Sequence, residues 1–283
     1  MGRNGYQMKI YKKNIIFFIS ILLILIKCEL PSPPEESNGE LIFIDDFNGN
    51  AINTSKWKHD IGNGSYGWGN GEIQFYQPEN TTVSNGTLKI IAKEQSGQNI
   101  VDEWGNPLNY TSSKIKTDGL FNFRYGRVQA KIKTLEGVGF WPAFWILPSN
   151  SDWPCDGEID IMEQLWVFNG NSNISTGAAH VGNCPYSPTN HQYKSFQKNI
   201  SPERFSEDFH IYEIRWEPNY IAWYIDDEFV YSVTPEDYSS EYEWPFNRGQ
   251  WYLIFNLAIT NSGPNDNTQF PSQLEIDWVK VYN

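Results

Sequence analysis

Hydrophobic and polar residues alternate in short runs along most of the chain after residue 40, and Gly, Asn, Pro and Ser separate these runs. Alternation with period two is typical of β-strands that turn one face toward a core. The clearest runs predict strands at residues 41–44, 87–92, 127–133, 209–216, 221–225 and 251–259. Turns are indicated by Asn85-Gly86, Asp226-Asp227 and Glu217-Pro218-Asn219.

The fold class follows from this pattern, because no stretch keeps a helical period for longer than about ten residues. The sequence predicts an all-β fold, either a sandwich or a barrel of many strands. It also predicts one domain over residues 40–283, since this length suits a single large β-domain and no internal repeat is visible.

Three carboxylates lie close together in one run, at Glu158, Asp160 and Glu163. Alternation places the first two on one face of a strand. It would next place Met162, rather than Glu163, on that face. An extra residue at Ile161-Met162, a β-bulge, would return Glu163 to the side of Glu158, and such bulges are frequent beside active sites.

Like charges that share one face resist joint ionisation, so at least one of these carboxyls should keep its proton to a higher pH. One ionised and one protonated carboxyl is the pair that glycoside hydrolysis by double displacement requires. By itself, however, a short acidic pattern is equally typical of an edge strand with a solvated acidic face.

Four segments, in order along the chain, resemble glycoside hydrolase family 16. The catalytic signature of that family, in its bulged form, resembles residues 157–163 (GEIDIME), and its GxWPAFWxLP stretch resembles residues 139–148 (GFWPAFWILP). Its GNGExQYY segment, most often found in laminarinases, resembles residues 69–76 (GNGEIQFY), and its closing DYVRVY strand resembles residues 276–282 (IDWVKVY). The resemblance implies a β-jelly-roll sandwich of two antiparallel sheets with a concave substrate cleft.

The resemblance further implies a retaining endo-β-1,3-glucanase that needs no metal for its chemistry. Glu158 would be the nucleophile and Glu163 the acid/base, and Asp160 between them would hydrogen-bond Glu158 and help to set the pKa values apart. Substrate contacts would come from Asn70 in a glycine-rich loop on the donor side, from His180 near the leaving-group sugar, and from Trp141, Trp145 and Asn256 along the cleft.

Three positions depart from the pattern of the family. Gly177 replaces the first His of its HGTxH motif, and Thr260-Asn261 stand where the strand of Asn256 continues as Gly-Gly in the family. Lys114 stands where the family often has Arg, and Lys cannot make the bidentate fork of Arg, so we expect different contacts there.

Other functions on the same fold remain open. The bulge at Met162 separates the chain from the unbulged mixed-linkage lichenases, although activity on mixed-linkage β-1,3-1,4-glucan stays open. Agarases and carrageenases share the bulged pattern, and a transglycosylase would use the same residues. A non-catalytic β-glucan-binding protein is the alternative of another class, but such relatives lose the catalytic glutamates that this chain retains.

Composition and net charge limit the classes of molecule that the protein is expected to bind. Aromatic residues make up 16% of the chain and include 12 Trp, whose flat rings suit both a core and the stacking of sugar rings. Residues 1–27 carry five of the 21 basic residues and no acidic one, so the remainder carries 16 basic against 34 acidic residues, a net charge of −18. Such a surface excludes nucleic acid and suits a neutral polysaccharide. We expect a monomer.

The N-terminal segment predicts export. Basic residues precede an apolar run at residues 15–26, which is too short for a transmembrane helix and fits a signal peptide over residues 1–27. Cys28 follows at once and begins a Pro-rich tether at residues 28–39, an order that resembles the start of a bacterial lipoprotein with Cys28 lipidated. The alternative is ordinary cleavage and free secretion. The localisation expected is therefore the cell surface or outer membrane, otherwise the medium.

Cys155 and Cys184 are the two other cysteines, and an even pair in an exported chain suggests a disulfide rather than two buried thiols. A structural Ca²⁺ is implied by the family resemblance alone, at Asp46, Asp277 and the carbonyl of Gly86. Carboxylate and carbonyl oxygens suit that ion.

Overall fold

The computed structural model describes residues 39–95, 100–164 and 172–283. The predicted signal peptide, Cys28 and all of the tether except its last residue lie outside these ranges. The described residues form 17 strands: β1 Leu41–Asp45, β2 Lys58–Asp60, β3 Gln74–Tyr76, β4 Thr81–Ser84, β5 Thr87–Glu94, β6 Tyr110–Ser112, β7 Lys114–Lys116, β8 Gly126–Lys133, β9 Phe140–Pro148, β10 Glu158–Glu163, β11 Ile174–Gly182, β12 His191–Asn199, β13 His210–Glu217, β14 Tyr220–Ile225, β15 Glu228–Val233, β16 Trp251–Ile259 and β17 Ser272–Tyr282.

Helical structure in the described ranges is limited to single turns. A wide turn with i→i+5 hydrogen bonds covers Gly67–Gly71, and 3₁₀ turns cover Pro78–Asn80, Pro235–Asp237 and Pro245–Asn247. Within the described ranges no helix has the length and apolar character needed to cross a membrane.

The strands are arranged in two sheets. The first has ten strands, in the order β15-β14-β13-β8-β17-β5-β6-β3, with β1 paired to β17 and β4 paired to β5. The second has seven strands, in the order β12-β11-β10-β9-β16-β7-β2. All pairs are antiparallel except β3 with β6. The all-β sandwich of two sheets that the alternation predicts is therefore confirmed.

Turn chemistry explains how consecutive strands meet. Asn85 and Gly86 join β4 to β5, and both have positive φ, at 55° and 74°. Asp226 and Asp227 join β14 to β15 with φ of 51° and 64°. Two central residues with positive φ match the right-handed twist of the flanking strands, which is why Asn, Asp and Gly occupy these positions.

The core lies between the two sheets and is rich in aromatic side chains. Trp57, Trp216, Trp223 and Trp251 are fully buried in it, so one third of the 12 Trp belong to the core. The rings of Phe144 on β9 and Phe255 on β16 stack with centroids 4.4 Å apart. Burial of each such ring contributes about 2–3 kcal/mol of hydrophobic free energy, so the core holds the seven-stranded sheet in place behind the candidate site.

Candidate active site

A β-bulge in β10 brings Glu163 to the same face as Glu158. Asp160 pairs with Ala178 and Glu163 pairs with Thr176, so three steps along β10 match two steps along β11. The extra residue changes the alternation once, in the way that the sequence pattern requires. The predicted bulge is confirmed.

The bulge is stable because both residues at its centre enter the core. Ile161 and Met162 are fully buried, so the irregular backbone exposes no apolar side chain. The backbone carbonyl of Asp160 accepts a hydrogen bond of 2.8 Å from the indole N–H of Trp223 on the opposite sheet. A buried carbonyl that leaves the regular ladder is thereby satisfied.

His180 lies opposite Glu158 and connects the acidic residues to β11. Its Nε2 is 3.0 Å from Oδ2 of Asp160 and 3.9 Å from Oε1 of Glu158. Its Nδ1 is 2.9 Å from Nε2 of His191 on β12. When neutral His180 donates through Nε2 to Asp160, Nδ1 can only accept, so His191 is the donor and fixes that tautomer.

Two tryptophans of β9 flank Ala143 on the same face as the carboxylates. The indole N–H of Trp141 donates to Oε1 of Glu163 at 2.9 Å. The indole N–H of Trp145 donates to Oδ1 of Asn256 at 2.7 Å. The expected cleft residues Trp141, Trp145, His180 and Asn256 are therefore gathered around Glu158, Asp160 and Glu163.

Another acidic residue of the cleft, Glu72, lies apart from the three carboxylates of β10 and is only 8% exposed. Its carboxylate accepts hydrogen bonds from Gln74 at 2.6 Å, from the hydroxyl of Tyr76 at 3.0 Å and from the amide of Asn70 at 3.3 Å. The hydroxyl of Tyr76 also accepts from the amide of Asn256 at 3.2 Å. Glu72 thus connects the glycine-rich loop of Asn70 to the residues beside the carboxylates of β10.

Lys114, at the position where the family often has Arg, lies near both Glu72 and the carboxylates of β10. Its ammonium is 4.4 Å from the ring centroid of Trp68 and 5.0 Å from that of Trp145, and it is 3.7 Å from Asp60. Burial lowers the pKa of Lys114, while the charges of Asp60, Glu72 and Glu158 oppose that shift. The positive charge therefore balances the acidic cleft as a point charge held between two aromatic rings.

Burial raises the pKa of Glu158, Asp160 and Glu163 to about 8 in each case. The charge of Asp160 raises the pKa of both glutamates further, whereas His180 opposes the rise. The three groups therefore hold fewer than three negative charges at neutral pH.

The only cluster of three or more acidic, His or Cys side chains with metal-like spacing in the described ranges is Glu158, Asp160 and His180, within 4.8 Å. The expected calcium residues lie elsewhere. Gly86 lies against the side chain of Asn48, whose amide donates to Asp46 at 2.7 Å. Asp277 instead pairs with Lys131 at 2.8 Å. The oxygen donors suit Ca²⁺, but an ion that uses the Asp277 carboxylate has to displace this ammonium group.

The predicted disulfide between Cys155 and Cys184 is present. It connects the loop before β10 to the loop after β11. Gly157, two residues after Cys155, has a φ of 84°, and a Cβ there would lie 2.7 Å from Cγ of Pro245. Glycine is therefore required immediately before Glu158.

The glycosyl hydrolases family 16 model matches residues 70–280. The chain belongs to glycoside hydrolase family 16. Among its relatives, the glucan endo-1,3-beta-glucosidase A1 of Niallia circulans is 32% identical over 89% of this chain, which spans 39% of that protein. The beta-glucanase of Rhodothermus marinus is 31% identical over 93% of this chain and 92% of its own length.

The fold comparison agrees with the sequence comparison. The endo-beta-1,3-glucanase of Pyrococcus furiosus superposes with a TM-score of 0.75 at 38% identity and covers 87% of this chain and 94% of its own. Membership of family 16 and this likeness confirm the expected β-jelly roll and identify the protein as a glycoside hydrolase.

Some residues of the site lie within motifs of family 16 and others do not, which determines which of them the sequence could predict. Glu72 lies inside the recognised residues 69–76, so the signal was present, but its burial and partners were not predicted. His191 has no motif, because its role depends on the register between β11 and β12. At Gly177, where the family motif has His, a Cβ would lie 2.7 Å from the Phe196 ring, so that ring fills the space.

The raised pKa of Glu163 predicts a gain in stability on neutralisation. The folded pKa of about 8 exceeds the ordinary value of 4.5, so the folded state binds the proton more tightly. The stabilisation by this proton is complete below pH 4.5 and is lost as the pH rises toward 8. Glu163→Gln should therefore raise the free energy of unfolding by roughly 4 kcal/mol at pH 8 and leave it unchanged at pH 4.

Urea denaturation of the wild type and the variant at both pH values measures this difference. The exposed Glu228, in the other sheet, supplies the matched control Glu228→Gln, which should show no such pH dependence. Equal unfolding midpoints for Glu163→Gln and the wild type at pH 8 would contradict the raised pKa.

Proposed function

We propose that the protein is a retaining endo-β-1,3-glucanase that hydrolyses laminarin-type β-glucan and accepts mixed-linkage β-1,3-1,4-glucan as a secondary substrate. The observation that carries the proposal is the bulge that places Glu158 and Glu163 on one face with Asp160 between them. Relatives named as endo-1,3-β-glucanases support the choice of linkage.

The chemistry follows double displacement. The carboxylate of Glu158 attacks the anomeric carbon while Glu163 donates its proton to the leaving oxygen. Glu163 then removes a proton from water, which attacks the glycosyl-enzyme and releases Glu158. The hydrogen bond from Trp141 to Oε1 of Glu163 leaves Oε2 free to carry the proton for the first step.

His180 and Asp160 position the nucleophile in this mechanism. Asp160 is buried next to Glu158 and is hydrogen-bonded to His180, which also approaches Glu158. As negative charge leaves Glu158 during attack, repulsion from Asp160 falls, which assists the attack. Neutral sugar rings have hydroxyl groups for Asn70 and Asn256 and apolar faces for Trp141 and Trp145.

The catalytic assignment predicts different kinetic defects for substitutions of Glu158 and of Glu163. Glu158→Gln should lower kcat on laminarin by at least about 1,000-fold, because no nucleophile remains. Glu163→Ala on a dinitrophenyl β-1,3-glucoside, whose leaving group needs no proton, should accumulate glycosyl-enzyme. Azide, which needs no deprotonation, should restore its turnover and give a β-glycosyl azide, whereas rescue of Glu158→Ala should give the α-anomer.

Reducing-end release from laminarin, lichenan, agarose and carrageenan tests the substrate, with Glu158→Gln as the blank. Highest activity on laminarin is expected. Cleavage of a galactan alone would overturn the substrate and keep the mechanism. Binding of laminarin without cleavage would favour a non-catalytic glucan-binding protein, and elongated products without reducing-end release would favour a transglycosylase.

A structural Ca²⁺ at Asp46, Gly86 and Asp277 is the second part of the proposal. It is supported by the donor oxygens and by the approach of Gly86 and Asp46 to the shared neighbour Asn48. Addition of Ca²⁺ to chelator-treated protein should raise Tm by several degrees, and Asp277→Asn should remove this gain without loss of kcat. A Tm that is identical in Ca²⁺ and in chelator would exclude the site.

The third part of the proposal is that the protein is exported and that Cys28 is lipidated. Besides the N-terminal sequence, it is supported by the Cys155–Cys184 disulfide, because disulfides persist in oxidising compartments. In a bacterial host, the wild type should fractionate with membranes and Cys28→Ser should become soluble with unchanged activity. Recovery of the wild type from the medium rather than from membranes would instead indicate free secretion.

A further inference from the structure

Exposed aromatic rings lie beside the carboxylates, on the strands and loops next to β10. Trp153, Tyr186 and Tyr193 are 38%, 50% and 57% exposed. The ring centroids of Trp153 and Tyr186 are 4.8 Å apart, and Tyr193 stacks on His180 at 5.2 Å with planes 21° apart. His191 lies between them, 4.9 Å from Trp153 and 5.1 Å from His180. We name Trp153, Tyr186 and Tyr193 the aromatic patch.

The aromatic patch shares the face of the catalytic carboxyls. Glu158 pairs with His180, and His180 pairs with Tyr193, so these side chains form one row across β10, β11 and β12. His191 pairs with Gly182, two residues beyond His180, and therefore lies on the same face. Trp153 lies 6.4 Å from His180 between ring centroids, and His180 approaches Glu158 to 3.9 Å, so the patch begins beside the catalytic carboxyls.

The patch lies on the opposite side of β10 from Trp145, Asn256 and Asn70. Trp145 on β9 and Asn256 on β16 are on one side of the carboxylates, toward Asn70 and Glu72. Tyr193 on β12 and Tyr186 in the loop after β11 are on the other side. Trp153, in the loop before β10, lies with them through its contacts with Tyr186 and His191. A glucan that lies across the strands with its donor units near Asn70 therefore extends its acceptor units over the patch.

The rings are held by firm local structure. The Cys155–Cys184 disulfide joins the loop of Trp153 to the loop of Tyr186. A Cβ at Gly182 would lie 2.5 Å from Cγ of Pro154, so the first loop packs directly onto the backbone of β11. Arg248 donates to the carbonyl of Cys155 at 3.0 Å. Rings that are ordered before binding lose little conformational entropy when a ligand stacks on them.

We propose that the aromatic patch is an acceptor-side binding platform for β-glucan, which holds the glucosyl units on the leaving-group side of the scissile bond. This inference rests on the proposed function of the same cleft. Trp and Tyr stack on the apolar faces of sugar rings, and their polar edges tolerate water, which accounts for large rings that remain exposed in the free protein.

The platform also predicts how the glycosyl-enzyme partitions. A sugar that is bound on the patch presents its hydroxyl to the anomeric carbon in place of water. The bond between that carbon and Glu158 breaks, the bond to the sugar oxygen forms, and the hydroxyl proton passes to Glu163. A strong acceptor platform therefore increases transglycosylation relative to hydrolysis.

The test uses laminariheptaose labelled with ¹⁸O at its reducing end, with the products sorted by mass. Removal of a stacked ring in Trp153→Ala or Tyr193→Ala should raise KM by about fivefold. Cleavage should also move toward the reducing end, so that fewer units lie on the acceptor side, and transglycosylation products should decrease. Trp153→Phe and Tyr193→Phe should largely restore the wild-type pattern.

Phe229→Ala is the matched control, because Phe229 is an aromatic residue that is 39% exposed on β15 in the other sheet. It should retain the wild-type cleavage pattern, and thermal melts verify that every variant is folded. An unchanged pattern in folded Trp153→Ala and Tyr193→Ala would overturn the platform alone. A wild type that leaves β-glucan intact would overturn the proposed function and the platform together.

Discussion

Repulsion among three carboxylates on one buried strand face is the constraint on which the active site depends. Asp160 lies between Glu158 and Glu163, and burial on the cleft floor deprives all three of hydration. This repulsion is reduced by proton binding, which the raised pKa values favour, and by the dipoles and cations near the strand. His180 binds Asp160, Trp141 binds Glu163, and Lys114 lies farther along the same sheet. Each of these groups lies on another strand of the same sheet, so the electrostatic state of β10 depends on the register of that sheet.

One row of paired residues shows how that dependence extends along the cleft. Glu163, Ala143, Asn256, Lys114 and Asp60 lie opposite one another across five strands. The buried carboxyl and hydroxyl of Glu72 and Tyr76 attach to this row through Asn256. Burial raises the pKa of Glu72, as it does for the carboxyls of β10, and the nearby ammonium of Lys114 lowers it. Two acidic centres therefore share one cation, and Lys, as a compact point charge between two rings, serves both without a bidentate contact.

Much of this fold was predictable from local sequence. Alternation predicted the strands, pairs of turn residues such as Asn85-Gly86 and Asp226-Asp227 predicted the hairpins, and a count of residues between Glu158 and Glu163 predicted the bulge. The rest required distances that no local pattern encodes. His191 acts through its register with β11, and the Phe196 ring explains Gly177 only when β12 lies beside it. Local sequence also does not distinguish buried Trp residues from exposed ones. Trp223 lies in the core and donates a hydrogen bond to a backbone carbonyl, whereas Trp153 lies on the surface.

The bulge links stability to function. Without it, Glu163 would enter the core, where an unpaired carboxylate costs several kcal/mol, and Met162 would occupy the cleft. With it, Ile161 and Met162 both contribute apolar burial, and the backbone carbonyl freed at Asp160 is bound by Trp223. The core therefore offsets the cost of crowded carboxyls during folding, before any substrate arrives. Groups that are already oriented need no reorganisation when charge moves between Glu158 and the sugar, which is the condition for strong electrostatic stabilisation of a transition state.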